Sequence, residues 1–179
     1  MDFKNIAEVF ENLEKTSKRL KKISILKEFL KKYENEVPTI FDIITGTYQK
    51  EINKKQLAIS LKTIIDVVSF VSQKSSSEIE KRFNKIGDVG EVAKEFLESN
   101  NQSTLLQKEL TLNSILQALN KISQISGTNS NKKKKEILSQ LFLASSSPEE
   151  TKFLARLLID DLRIGVSEGV LREVCVIHL

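Results

Sequence analysis

Two runs of basic residues carry most of the chemistry this sequence offers. Lys15, Lys18, Arg19, Lys21, Lys22, Lys27, Lys31 and Lys32 crowd one stretch, against a single acid, Glu28. Lys132, Lys133, Lys134 and Lys135 form the second run. Each follows hydroxyl-bearing residues, Thr16 and Ser17 in the first case, Thr128 and Ser130 in the second. A helix starting there presents unpaired N–H groups and the positive end of its dipole, which suits phosphate. Lysines in a first turn oppose that dipole, so an anion is expected nearby. Either run alone also reads as a solvated charged face. Their repetition gives phosphate binding equal standing.

Glycine loops are the second feature. Ile86-Gly87-Asp88-Val89-Gly90 and Ile164-Gly165-Val166-Ser167-Glu168-Gly169 both join helices. Glycine permits positive φ and close approach to a ligand, although a helix end followed by a new helix start explains the same pattern. Neither loop fits a G-x-x-x-x-G-K-[ST] phosphate loop, and neither follows a strand. One Cys and one His exclude an internal disulfide, a thiolate zinc site and a His-based metal site or triad. Asp160 and Asp161 are adjacent, so they do not face each other on a helix. They read as structural, with Arg156 or Arg163 as partners. Cys175 reads as a packed residue in an apolar stretch. No nucleophile–base pair is present. The residues alone describe a helical binding domain, with no catalytic or metal-ligating set.

The elements that must position these residues are helices. The 179 residues contain only two prolines and six glycines, amid long runs of Leu, Ile, Lys and Glu. Charged residues are 29% and the net charge is +4, so placement of charge matters more than its total. Phe3, Ile6, Val9, Phe10 and Leu13 fall on one helical face. Thr16 or Ser17 is expected to cap the next helix, to about Tyr33. Pro38 opens a short helix that stops near Gly46. Residues 55–72 form a central helix. A serine among Ser75, Ser76 and Ser77 caps a helix ending at Gly87, and Asp88 caps one to about Leu97. Residues 98–108 connect. Thr111 caps a helix to about Ser126, and Ser130 or Asn131 caps the Lys-rich helix. Ser147 caps a helix with Pro148 at its first position and Glu149 and Glu150 in its first turn. Gly165 to Gly169 is a loop before a short last helix. No run of 18 apolar residues and no secretory start appears, so an intracellular location, cytoplasmic or nucleoid, is expected.

A faint internal repeat runs through the chain. Residues 16–26 and 128–138 both pass from hydroxyls through a basic cluster to apolar residues. A proline-started helix follows each, at Pro38 and Pro148. Leu57-Ala58-Ile59-Ser60-Leu61 then echoes Leu162-Arg163-Ile164-Gly165-Val166. Two related halves suit the two backbones of duplex DNA, which local dyads relate. Chance similarity among amphipathic helices is the alternative.

In family order, these motifs resemble the N-terminal DNA-binding domain of archaeal and eukaryotic ATP-dependent DNA ligases, over about residues 3–175. The markers are Leu13-Glu14-Lys15-Thr16-Ser17-Lys18-Arg19-Leu20, Thr45-Gly46 and Ile86-Gly87-Asp88-Val89-Gly90-Glu91-Val92-Ala93. Gln102-Ser103-Thr104-Leu105, residues 127–130 before the lysines, and Asp161-Leu162-Arg163-Ile164-Gly165-Val166-Ser167-Glu168-Gly169 complete them. The resemblance implies an all-α fold of about ten to twelve helices in two pseudo-symmetric halves. It implies a single domain over residues 1–179 that lies along the minor groove of nicked duplex DNA and contacts mainly its backbone. Carried over by position, the expected contacts are Thr16, Ser17, Arg19, Gly87, Gly90, Ser103, Thr104, Ser130, Lys132, Lys133, Arg163, Gly165 and Gly169. Thr47 stands where the family often has Arg, and Ala58 and Ser60 where it usually has glycines.

The family's adenylated-lysine motif, Lys-x-Asp-Gly, does not occur here. The expectation is therefore a non-catalytic DNA-binding piece of a ligase, without cofactor, whose parent uses ATP and Mg²⁺ to seal nicks in replication, repair and recombination. Its expected partner is nicked duplex DNA, with a sliding clamp as a further candidate; it is expected to be a monomer. The rival reading is a helical protein–protein interaction module.

Overall fold

Five of the described helices start at a side chain that satisfies N–H groups their first turn leaves unpaired. The computed structural model describes residues 1–48, 59–98 and 109–176, with ten α-helices among them. They are α1 (Phe3–Glu14), α2 (Arg19–Lys32), α3 (Val37–Thr45), α4 (Leu61–Ser72) and α5 (Ser76–Ile86). Then come α6 (Val89–Leu97), α7 (Leu112–Gln124), α8 (Ser130–Ala144), α9 (Pro148–Leu158) and α10 (Glu168–Val176). A 3-10 turn at Glu34–Glu36 precedes α3. The fold is all-α, as expected, and no described helix is long and apolar enough to cross a membrane.

Ser75, Asp88, Thr111 and Ser147 cap α5, α6, α7 and α9 with their side chains. Gly46 and Gly87 end α3 and α5 in the left-handed conformation, at φ 71° each. Four expectations need correction. Neither Thr16 nor Ser17 caps α2. Lys18 is its N-cap residue, and the Lys18 N–H donates to Thr16 Oγ1 at 3.2 Å, closing a small turn before the helix. The central helix starts at Leu61 instead of near 55, because Ser60 and Thr63 form a reciprocal capping box. Asn129, in the left-handed conformation and without a side-chain bond, occupies the N-cap of α8, so neither Ser130 nor Asn131 caps it. Gly169 lies inside the first turn of α10, not in the loop before it.

Apolar stripes close one continuous core. Phe3, Ile6, Phe10 and Leu13 of α1 are fully buried there, with Phe10 packed edge-on against Phe153 of α9. Cys175 is only half-buried.

The repeat is visible in the packing. Before α1 and α7, Asp2 and Thr111 form an antiparallel bridge. The Phe3 N–H donates to the Leu110 carbonyl and the Leu112 N–H to the Met1 carbonyl, a reciprocal arrangement. Beyond it, α2 packs on α10, and α8 packs on α4. Each basic helix thus rests on the helix that follows the other repeat's echo sequence.

Candidate nucleic-acid interface

The first basic run and the last glycine loop, about 150 residues apart, meet on one surface. Arg19 Nη2 donates to the Gly169 carbonyl at 3.3 Å and to Glu173 Oε2 at 2.9 Å. Lys22 turns inward, only 6% exposed, and its Nζ donates to the carbonyls of Ile164 and Gly165 at 2.7 Å each. Burial pushes its ammonium below the usual lysine range. Thr16 and Ser17 sit one turn away on the approach to α2, Ser17 exposed. Leu20, next to Arg19, is 77% exposed.

The loop between α9 and α10 is built to present backbone donors. Its residues Asp160, Arg163 and Gly165 all have left-handed φ, 61°, 55° and 60°. Among the described residues, the N–H groups from Leu162 to Gly169 have no acceptor within the chain. The last of them belong to the first turn of α10, where such groups are ordinarily orphaned. Arg163 is exposed and adds a guanidinium to this surface.

A buried ionic cluster fixes the loop from behind. Arg156 of α9 is 1% exposed. Its Nη1 and Nη2 each lie 3.0 Å from a Glu14 oxygen, and its Nε and Nη2 reach Asp88 at 3.1 and 2.6 Å. Lys152, one turn earlier, pairs with Glu11, Glu14 and Glu91 at 2.7–2.9 Å. Arg163 reaches Asp161 at 2.7 Å and Asp88 at 3.5 Å. Burial raises the carboxyls of Glu11, Glu14 and Asp88, but the cations outweigh it. Lys152 acts on Glu11, and Arg156 acts on Glu14 and Asp88, so all three stay below their ordinary values. Asp88 also accepts the N–H of Gly90 and Glu91, so one carboxylate caps α6 and anchors α9. Sequence reading missed this cluster. Asp160 instead lies over Gly46, where a Cβ would meet its Oδ1 at 2.6 Å.

The glycines divide. Gly165 and Gly169 are exposed in the α9–α10 region, and Gly87 is exposed with nothing within 4 Å of where a Cβ would be. Gly90 is different. It is buried in the first turn of α6, where a Cβ would lie 2.7 Å from Arg156 Cγ and from the Lys152 carbonyl. Its smallness serves helix packing and not an open loop.

The second basic run forms a matching surface. Ser130 is half-buried, while Lys132 and Lys133 are exposed at the start of α8. The N–H groups of Asn131 and Lys132 have no acceptor among the described residues. This turn shares a cleft with the Ser60 cap of α4, lined by Ile59, Ser60, Lys62, Thr63, Asn131 and Lys134. Lys135 pairs with Asp66 across it. The structure therefore groups Thr16, Ser17, Arg19, Arg163, Gly165 and Gly169 in one cluster and Ser130, Lys132 and Lys133 in another. Ser103 and Thr104 lie outside the described residues, as does Ala58. Among the described residues no group of His, Cys, Asp and Glu is arranged to hold a metal ion.

Comparison with known proteins agrees with this architecture. The family described as DNA ligase N terminus matches residues 2–175. A DNA ligase of Nanoarchaeum equitans is 34% identical over 173 residues, covering 97% of this chain and 30% of that protein. DNA ligases of Methanosphaera stadtmanae and Archaeoglobus fulgidus are 34% and 31% identical over 96% and 97% of the chain. The chain thus spans about a third of the length of these relatives. The match over residues 2–175 places this chain in the DNA ligase N-terminus family.

Proposed function

We propose that this chain binds duplex DNA without sequence preference, through phosphate contacts from two related surfaces, as the N-terminal domain of an ATP-dependent DNA ligase. The observation that carries this reading is the α9–α10 loop. Consecutive unpaired N–H groups from Leu162 to Gly169 stand beside Arg19 and Arg163. That arrangement suits phosphate oxygens and offers no selective grip on base edges. The Lys132–Lys133 turn supplies the second contact surface, and two surfaces related by a repeat suit the two strands of a duplex.

In the parent enzyme the domain's role is to hold nicked DNA while further domains carry out ATP- and Mg²⁺-dependent joining in replication, repair and recombination. This chain contributes binding, with no cofactor of its own, inside the cell and in contact with the nucleoid; a sliding clamp is a further partner of the assembled ligase. Roughly four to eight neutralised phosphates correspond to a log–log salt slope near −4 to −7. A salt-series anisotropy titration against nicked duplex, intact duplex and single strand tests the reading. Steep, sequence-independent duplex binding is expected. Absence of binding at low salt would refute it and favour a protein-interaction module.

A further inference from the structure

Of the three left-handed residues in the α9–α10 loop, Gly165 bears no penalty, Asp160 tolerates the conformation and Arg163 carries the cost. A non-glycine residue in this conformation is disfavoured by about 1–2 kcal/mol, so contacts from elsewhere must hold it. Arg156 and Asp88 hold one end. At the centre the contact is Lys22, reaching across from α2.

The direction of its two hydrogen bonds matters. In a trans peptide the C=O of one residue and the N–H of the next point opposite ways, and every described peptide bond is trans. Lys22 draws the carbonyls of Ile164 and Gly165 inward at 2.7 Å each. The N–H groups of Gly165 and Val166 must therefore point away from it, toward the outside. Gly165 also leaves the space the ammonium occupies: a Cβ there would collide with Lys22 Nζ.

The repeat places a second buried lysine at the equivalent position. In the correspondence of residues 16–26 with 128–138, Lys22 aligns with Lys134. Lys134 is likewise buried, at 9% exposure, among exposed lysines. In the correspondence of 57–61 with 162–166, Ile59 and Ser60 align with Ile164 and Gly165. Lys134 lines one cleft with that same pair.

We propose that Lys22 is a positioning residue: its buried ammonium pins the Ile164 and Gly165 carbonyls and so aims the Gly165 and Val166 N–H groups at a DNA phosphate that Lys22 itself does not touch. The inference rests on the DNA-binding reading for the identity of the anion.

The test is Lys22→Met in the 179-residue chain, read by duplex titration over a salt series and by ¹⁵N relaxation of residues 163–167. The expected result is roughly tenfold weaker binding at fixed salt, an unchanged salt slope, and order parameters in the loop falling toward about 0.6. A slope shallower by about 0.9 would make Lys22 a direct phosphate contact and overturn the proposal. Unchanged affinity and an unchanged loop would overturn it equally. If the wild-type chain binds no duplex while Lys22→Met loosens the loop, the pinning stands and the DNA reading fails. Should the variant not fold, scalar couplings across the hydrogen bonds from Lys22 Nζ to the Ile164 and Gly165 carbonyl carbons are measured in the wild type. Their presence supports the pinning and their absence overturns it.

Discussion

Replacing Arg156 with Met removes the centre of the ionic cluster while keeping most of the side-chain volume. Arg156 is 1% exposed and makes two contacts of 3.0 Å with Glu14 and contacts of 3.1 and 2.6 Å with Asp88. Breaking a buried ion pair from one side costs about 3–5 kcal/mol, because the orphaned charge stays buried. Here the orphans keep some company. Glu14 retains Lys152 at 2.8 Å, and Asp88 retains two backbone N–H groups and Arg163 at 3.5 Å. The low end, about 3 kcal/mol, therefore applies. For a chain of this size that corresponds to a Tm lowered by about 6–12 °C, at 2–4 °C per kcal/mol. Thermal unfolding followed by circular dichroism reads it directly. A shift under about 2 °C would show that the cluster contributes little and that the loop is held by other contacts.

Further outcomes follow from the same geometry. The carboxyls of Glu11, Glu14 and Asp88 titrate below their ordinary values of 4.5, 4.5 and 3.8. Their contribution to stability is complete above about pH 4.5 and drains away as pH falls through the depressed values. Urea midpoints from pH 6 to pH 2.5 should drop accordingly, and Arg156→Met should flatten the drop. Gly90→Ala places a Cβ 2.7 Å from Arg156 Cγ and the Lys152 carbonyl, and should cost about 1–3 kcal/mol in thermal unfolding; an unchanged Tm would disprove the packing role. Lys132→Glu with Lys133→Glu should make the duplex salt slope shallower by roughly 2; an unchanged slope would remove both lysines from the interface.

What the sequence revealed and what it hid follow one division. Asp88, Thr111 and Ser147 could be named as caps, and the cap of α5 narrowed to Ser75, Ser76 or Ser77, because capping is local: the hydroxyl or carboxylate reaches N–H groups two or three residues ahead. The cap of α2 was misread because Thr16 has a competing local partner in Lys18 N–H. The early start given to α4 reflects apolar content before Ser60, which carries no signal about where the turn lies. Long-range pairs left no mark. Lys22 looks like its seven basic neighbours, yet its acceptors are 142 and 143 residues away. Arg156 sits in a Leu-rich stretch and meets partners 68 and 142 residues off. Gly90 was read as a loop glycine, because a glycine beside a cap does not reveal whether it yields to a ligand or to a helix. The internal repeat, faint in the residues, became legible once α2 was seen on α10 and α8 on α4.

The central claim is that two loop surfaces, distant in sequence, face one duplex together. Amide chemical-shift mapping of the ¹⁵N-labelled chain with a short nicked duplex tests it most directly. The account predicts perturbations at residues 16–19 and 163–169 together with residues 59–62 and 130–133, rising in parallel along one titration. Perturbation of one surface alone, or of neither, would contradict it.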